Sequence, residues 1–300
     1  MLLDEFEGMG EGVWWGKQIE TFRKTKGDEK HGRNLEIIMK DGTVVGCDVI
    51  VGADGIRSTT RKRLTEEEDG LVYLDVFVML GIFEPQKLGG LEEEEGSDSE
   101  LDLLDGSTVF QMSDGSTRFY AMPYDTSRYM WQLSFPAPLD DAEAYKADLK
   151  GLAVKKCKGF KWVEGMILGT EESEISGYPV YDREVREDFR TGVGGGEFAT
   201  VIGDAAHPMS PFKGQGANQG LIDGLKLARL MSKVEDWGDG GEVGGMLGEF
   251  EREMQGRAGV KVVKSREAAK FLHTDVVLEE GDVTRGGMEG LKREDLKRKL

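Results

Sequence analysis

Val201-Ile202-Gly203-Asp204-Ala205-Ala206-His207-Pro208, continued by Pro211-Phe212-Lys213-Gly214-Gln215-Gly216-Ala217-Asn218, spells a strand, a tight turn and the start of a helix. The run Phe198 to Ile202 is short, apolar and β-branched at its centre, which predicts a buried strand closed by Gly203. Asp204 then falls just past the strand's carboxyl end, the edge of an open α/β sheet where ligands gather, and an ionised carboxylate there accepts hydrogen bonds from hydroxyl groups. Gly214 and Gly216 remove side chains where backbone must approach a ring or a phosphate, with Pro211 fixing the turn ahead of them. The apolar pattern Leu221, Ile222, Leu225, Ala228 and Leu230 predicts a helix starting near Ala217. Its free amides, around Ala217 and Asn218, carry partial positive charge and stabilise a facing anion by ~0.3–2 kcal/mol. An isolated Gly-Asp is most simply a turn. Here the pattern G-D-A-A-H-x-x-x-P-x-x-G-Q-G-x-N is filled throughout. His207 is expected to pack or hydrogen-bond locally and not to act as a base, because no nearby residue in the sequence suggests an orienting carboxylate.

A second motif lies upstream. Asp48-Val49-Ile50-Val51 reads as another buried strand and runs into Gly52-Ala53-Asp54-Gly55-Ile56-Arg57-Ser58, then Arg61, Lys62 and Arg63. Gly52 and Gly55 allow close backbone approach, Asp54 is placed to bond the turn or a ligand, and Arg57 or Arg61 suits a pyrophosphate. Lys62 and Arg63 read as a solvated basic helix face.

Together, D-V-I-V-G-A-D-G-I-R-S and the G-D-A-A-H run resemble the paired signatures of class A FAD-dependent monooxygenases, the aromatic hydroxylases related to p-hydroxybenzoate and salicylate hydroxylase. Gly177-Tyr178-Pro179-Val180-Tyr181-Asp182-Arg183 and Phe250-Glu251-Arg252-Glu253 resemble further segments of that family, and the likeness spans about residues 13 to 273. The resemblance implies FAD as cofactor, NAD(P)H as reductant and a small aromatic substrate that receives one oxygen atom from dioxygen. It places Gly52, Asp54, Gly55 and Arg57 at FAD and in NAD(P)H use. Gly203, Asp204, Pro211, Gly214, Gly216, Ala217 and Asn218 fall at the ribityl and flavin portions. It assigns no catalytic acid or base.

Such enzymes open with a βαβ unit of ~30 residues whose glycine turn grips the pyrophosphate. Neither Gly8-Met9-Gly10-Glu11-Gly12 nor Gly194-Gly195-Gly196-Glu197-Phe198-Ala199 follows a strand in the required way, so the chain reads as starting partway through the family pattern. The expected fold is therefore α/β (α+β), an incomplete doubly wound FAD-binding domain joined to an antiparallel substrate sheet. Two consequences follow: an open sheet edge that favours a partner or self-association, and weak or absent FAD binding by this chain alone. A truncated, non-catalytic flavoprotein-like module is the alternative, and a separate or upstream source of the βαβ unit is a third.

The expected division is 1–68 and 186–278 for the cofactor domain, 69–185 for the substrate sheet with an acidic loop at 91–105, and 279–300 for a charged tail. Strands are predicted at Val13–Phe22, Leu71–Phe83, Thr108–Met112, Thr117–Tyr124 and Arg128–Phe135, with a hairpin turn at Ser113-Asp114-Gly115-Ser116. Helices are predicted at Met1–Phe6, Asp140–Lys158 and Met246–Leu272, and glycine-rich loops at 192–196 and 238–245. Phe119, Tyr120, Met122, Trp131 and Leu133 are candidates for the substrate pocket or ordinary core. The net charge of −18 argues against a nucleic-acid surface. There is no apolar run of membrane-spanning length and no secretory pattern at the amino end, which points to a soluble intracellular protein. Two cysteines and three histidines suggest neither a disulfide framework nor a metal site.

Overall fold

The computed structural model describes residue 4 and residues 12–25, 33–65, 70–85, 104–184 and 196–278. The expected helix at 1–6 (apart from residue 4), the acidic loop up to residue 103, the glycines at 192–195 and the tail 279–300 lie outside the described residues. In chain order the elements are β1 (Ile19–Lys24), β2 (Leu35–Met39), β3 (Val44–Cys47), β4 (Ile50–Gly52), α1 (Thr59–Thr65), β5 (Leu71–Phe83), β6 (Phe110–Ser113), β7 (Arg118–Pro123), β8 (Tyr129–Pro136), α2 (Leu139–Tyr145), α3 (Leu149–Lys156), α4 (Lys161–Leu168), β9 (Ile175–Arg183), β10 (Ala199–Val201), α5 (Gly216–Met231) and α6 (Gly240–Phe271). Helices and strands are mixed, and the chain divides into two compact units, Met1–Leu71 with Arg183–Val263 and Val72–Asp182 with Lys264–Leu300.

In the first unit β1, β2 and β3 form an antiparallel sheet, and β4 pairs with β10 in parallel. Phe22, Leu35, Ile50, Leu64, Val201, Leu247, Phe250 and Met254 share one buried core. The strand expected from Val13 begins only at Ile19, because a turn closed by Lys17 N–H to the Trp14 carbonyl places Gly16 at φ +72°, off any extended path. The glycines expected as a loop at 238–245 largely belong to α6. The Asp239 carboxylate accepts the Gly241 amide at 2.7 Å and starts the helix, and the bare backbone of Gly240 and Gly244 lies against Glu197 and Phe198. Helix propensity yields here to close packing.

The second unit is built on a five-stranded sheet in the order β6-β7-β8-β5-β9. The register aligns Phe77 with Phe135, Phe119 with Leu133 and Ala121 with Trp131, so one face is wholly apolar and shares its core with Ala142, Ala153, Val163, Met166 and Ile167 of the helices. Pleat parity thus sorts the pocket candidates: Phe119, Trp131 and Leu133 are core, whereas Tyr120 and Met122 point to the opposite face. That face also carries Arg118, which donates to Gln111 at 3.1 Å and lies over the Tyr120 ring at 5.1 Å. The single helix expected over 140–158 is two, because Asp148 caps α3 by accepting the Gly151 amide at 2.8 Å. Asp114 and Gly115, the latter at φ +92°, turn the β6–β7 hairpin as expected. Among the described residues no helix is long and apolar enough to cross a membrane.

Gly81 lies directly beneath Trp131, which is fully buried and donates its indole N–H to Thr170 at 2.9 Å. A Cβ at position 81 would sit 2.3 Å from the indole ring. Gly81→Ala should therefore destabilise the protein by ~1–3 kcal/mol and alter the tryptophan near-ultraviolet dichroism. An unchanged urea midpoint contradicts this packing.

Candidate flavin site

The site grows from the short parallel pair. Gly52 is opposite Val201, and the Ile202 amide donates to the Gly52 carbonyl at 2.9 Å. Both strands therefore end at the same sheet edge. The turn carrying Asp54 and the turn carrying Asp204 leave side by side from the carboxyl ends of adjacent parallel strands, where open α/β sheets bind ligands.

On the β4 side, Gly52 is needed for fit, because a Cβ there would meet Thr60 of α1 at 2.5 Å. Gly55 has φ +77° and so occupies the left-handed region. The Asp54 carboxylate accepts from the Ser58 hydroxyl, from the Thr59 amide at 2.8 Å and from the Thr60 amide at 3.1 Å, so it caps α1. Arg57 is exposed. Arg61 is buried and donates to the Ala206 carbonyl at 3.2 Å, tying α1 to the second turn. Arg63 is not merely solvated, since its guanidinium donates to the Phe22 carbonyl at 3.2 Å and lies over the Phe22 ring. Lys62 is exposed.

On the β10 side, Gly203 adopts φ +59° and packs its Cα against Gly220 of α5. Asp204 keeps solvent access and accepts no hydrogen bond from a described residue. Desolvation by the surrounding protein pushes its carboxyl above the usual range, with His207 pulling the other way. A single turn at Pro211–Lys213 leads to Gly214 at φ +59°, where a Cβ would meet nothing within 4 Å, and then to Gly216, the first residue of α5. A Cβ on Gly216 would lie 3.9 Å from an Asp204 oxygen. The Asp204 carboxylate and the amino end of α5 are thus neighbours, and Ala217 and Asn218 are exposed there.

The helix α5 begins at Gly216, beside the expected start at Ala217, but not every residue of its apolar pattern is buried. Leu221 and Leu225 are 62% and 53% exposed, while Gln219, Asp223 and Leu227 are buried. His207 does have a carboxylate partner, contrary to expectation: its Nε2 lies 2.7 Å from Asp223, with both side chains fully buried. This side-chain partner of His207 belongs to the next helix and is not a local one. Asp223 also accepts the Gly203 amide at 2.9 Å and the Arg257 guanidinium at 2.7 Å. Burial alone would raise its pKa, but the bonds from His207 and Arg257 outweigh burial and lower it. The legible signal was the spacing Gln219, Asp223, Leu227, a helical stripe incompatible with solvating Asp223 once Leu227 is buried.

An unpartnered carboxylate beside bare backbone and helix amides matches the polyol and ring of a flavin, with hydroxyl donors for Asp204 and an electron-rich edge for the amides. Comparison with known proteins shows the family. Residues 1–242 match the family model described as FAD binding domain. The chain belongs to this family, that of the class A FAD-dependent monooxygenases. It is 25% identical over 249 residues to the FAD-dependent monooxygenase thnD of Trichoderma harzianum, covering 74% of this chain and 55% of that protein. It is 27% identical over 226 residues to a salicylate hydroxylase of Pseudomonas putida, covering 69% and 48%. The fold resembles that of Klebsiella pneumoniae HpxO complexed with FAD and uric acid, with a TM-score of 0.71, 18% identity, and coverage of 91% of this chain and 62% of the other. The chain spans about half the length of these two curated relatives.

Because the folded state holds a proton on Asp204 more tightly than the unfolded chain does, ionising it costs folding free energy. That cost appears as pH rises through the raised pKa and is absent below the carboxylate range. Asp204→Asn should therefore raise the melting temperature of the ligand-free protein at neutral pH, with the gain vanishing in acid. A lower melting temperature at neutral pH contradicts a desolvated, unpartnered carboxylate.

Proposed function

We propose that this chain binds FAD through the turn and helix start at Gly203–Asn218 and serves an NAD(P)H-dependent monooxygenase that hydroxylates a small aromatic or similarly activated molecule. The observation that carries the reading is the lone Asp204 carboxylate set against the amino end of α5, together with membership of the family. Asp204 would accept hydrogen bonds from ribityl hydroxyls. Gly214 and Gly216 would let backbone lie against the ring, and the first amides of α5 would face its electron-accepting edge. On the neighbouring strand, Gly52, Asp54, Gly55 and Arg57 would border the cofactor, with Asp54 shaping the turn from within. When bound, the flavin supplies the redox and oxygen chemistry. The protein orients it, fixes dipoles where negative charge develops and keeps water out. In the second unit, Tyr120 and Met122 lie on the mixed polar and apolar face of the sheet and are the better candidates for an aromatic substrate than the three core residues. The likeness to flavin enzymes does not favour a non-catalytic module.

The test is titration of the purified 300-residue chain with FAD, followed by flavin fluorescence and absorbance, and by NADPH oxidation with candidate phenolic acids. Weak but saturable binding is expected, weakened further, about tenfold or more, by Asp204→Asn, a loss of ~1.4 kcal/mol. No saturable binding at ~1 mM FAD, where even a −4 kcal/mol interaction registers, contradicts the proposal.

A further inference from the structure

Asp223 is a buried carboxylate of the first unit that accepts three hydrogen bonds, and nothing in the proposed chemistry calls on it directly. One oxygen accepts the Gly203 amide at 2.9 Å and pairs with His207 Nε2 at 2.7 Å, and the other accepts Arg257 at 2.7 Å. The side chain is fully buried and is carried by α5, the helix whose amino end faces Asp204. Gly203 immediately precedes Asp204, and His207 closes the same turn by donating its amide to the Gly203 carbonyl at 2.9 Å. Both ends of the Asp204 turn are thereby fastened to a single carboxylate on the helix that supplies the facing amides. An acceptor-only carboxylate requires a proton on Nε2, and the buried Nδ1 has no hydrogen-bond partner among the described residues.

Arg257 is joined to the same carboxylate but not to the turn: its other bonds run to Gln219 at 2.5 Å and to Glu253 at 3.1 Å. The arrangement separates two roles. The Arg257 side neutralises charge between α5 and α6, and the Gly203–His207 side sets geometry.

We infer that Asp223 is a positioning residue for the flavin site, holding the Gly203 peptide and the His207 ring so that the Asp204 carboxylate keeps its place against the amino end of α5. The inference rests on the flavin reading above and extends it to a residue outside both sequence signatures. A purely structural ion pair would need only the negative charge near Arg257. A positioning role needs the carboxylate at its present reach, so that even one added methylene is harmful.

The experiment compares the wild-type chain with Asp223→Glu, Asp223→Asn and Arg257→Met. FAD titration is combined with two measurements on ligand-free protein, hydrogen exchange of the Gly203 amide and the His207 tautomer from nitrogen-15 NMR. Wild type should show a protected Gly203 amide and a proton on His207 Nε2. Asp223→Glu, which keeps the charge and is the variant expected to fold even if Asp223→Asn does not, should lose that protection and bind FAD about tenfold more weakly. Arg257→Met should cost stability yet leave FAD affinity within about threefold. Full affinity in Asp223→Glu with a freely exchanging Gly203 amide overturns the inference, and so does an unprotected amide in wild type. If wild type binds no flavin, the proposed function fails, while the ligand-free measurements still decide whether Asp223 holds the turn.

Discussion

The pairing of β4 with β10 is the constraint on which the site depends. It is only three residues long on each strand, yet it is parallel and in register, so two turns distant in sequence leave the sheet at one edge. Gly52 makes the pairing compatible with α1, since any side chain there would collide with Thr60. Arg61 then links α1 to the Ala206 carbonyl. Local sequence fixes each turn, and the backbone ladder between them makes a site.

Two carboxylates near this edge are placed in opposite environments. Asp223 is fully buried and bonded by Gly203, His207 and Arg257, which keeps it ionised and makes it part of the scaffold. Asp204 is exposed, accepts nothing from the described residues, and the protein around it raises its pKa. An exposed carboxylate without a protein partner is free to accept hydrogen bonds from a ligand's hydroxyl groups.

Much of the molecule was legible in its sequence because the signals were local. The Leu71–Phe83 strand, the Asp114-Gly115 hairpin and the Gly-Asp turn each follow from apolar runs and turn chemistry. What was missed depends on tertiary partners. The Gly238–Gly245 run looks like a loop until Glu197 and Phe198 fill the space beside Gly240 and Gly244. Leu221 and Leu225, part of the apolar pattern that predicts α5, are exposed, and the buried stripe carries Gln219, Asp223 and Leu227. His207 looks unsupported because its carboxylate comes from the next helix, and the parity that sends Trp131 into the core and Tyr120 out of it is set by strand register. Family likeness identified the cofactor more readily than any spacing did, since a helix amino end and a lone Asp are compatible with several anions and polyols.

The central claim is that the peptide amides from Gly203 to Asn218 cradle a flavin ring and its ribityl chain. Its most direct measurement is a nitrogen-15 correlation spectrum of the chain recorded while riboflavin 5′-phosphate is added. The amides of Gly203, Asp204, Gly214, Gly216, Ala217 and Asn218 should shift together and saturate with one binding curve. Saturating shifts confined to other residues, with these six amides unmoved, contradict it.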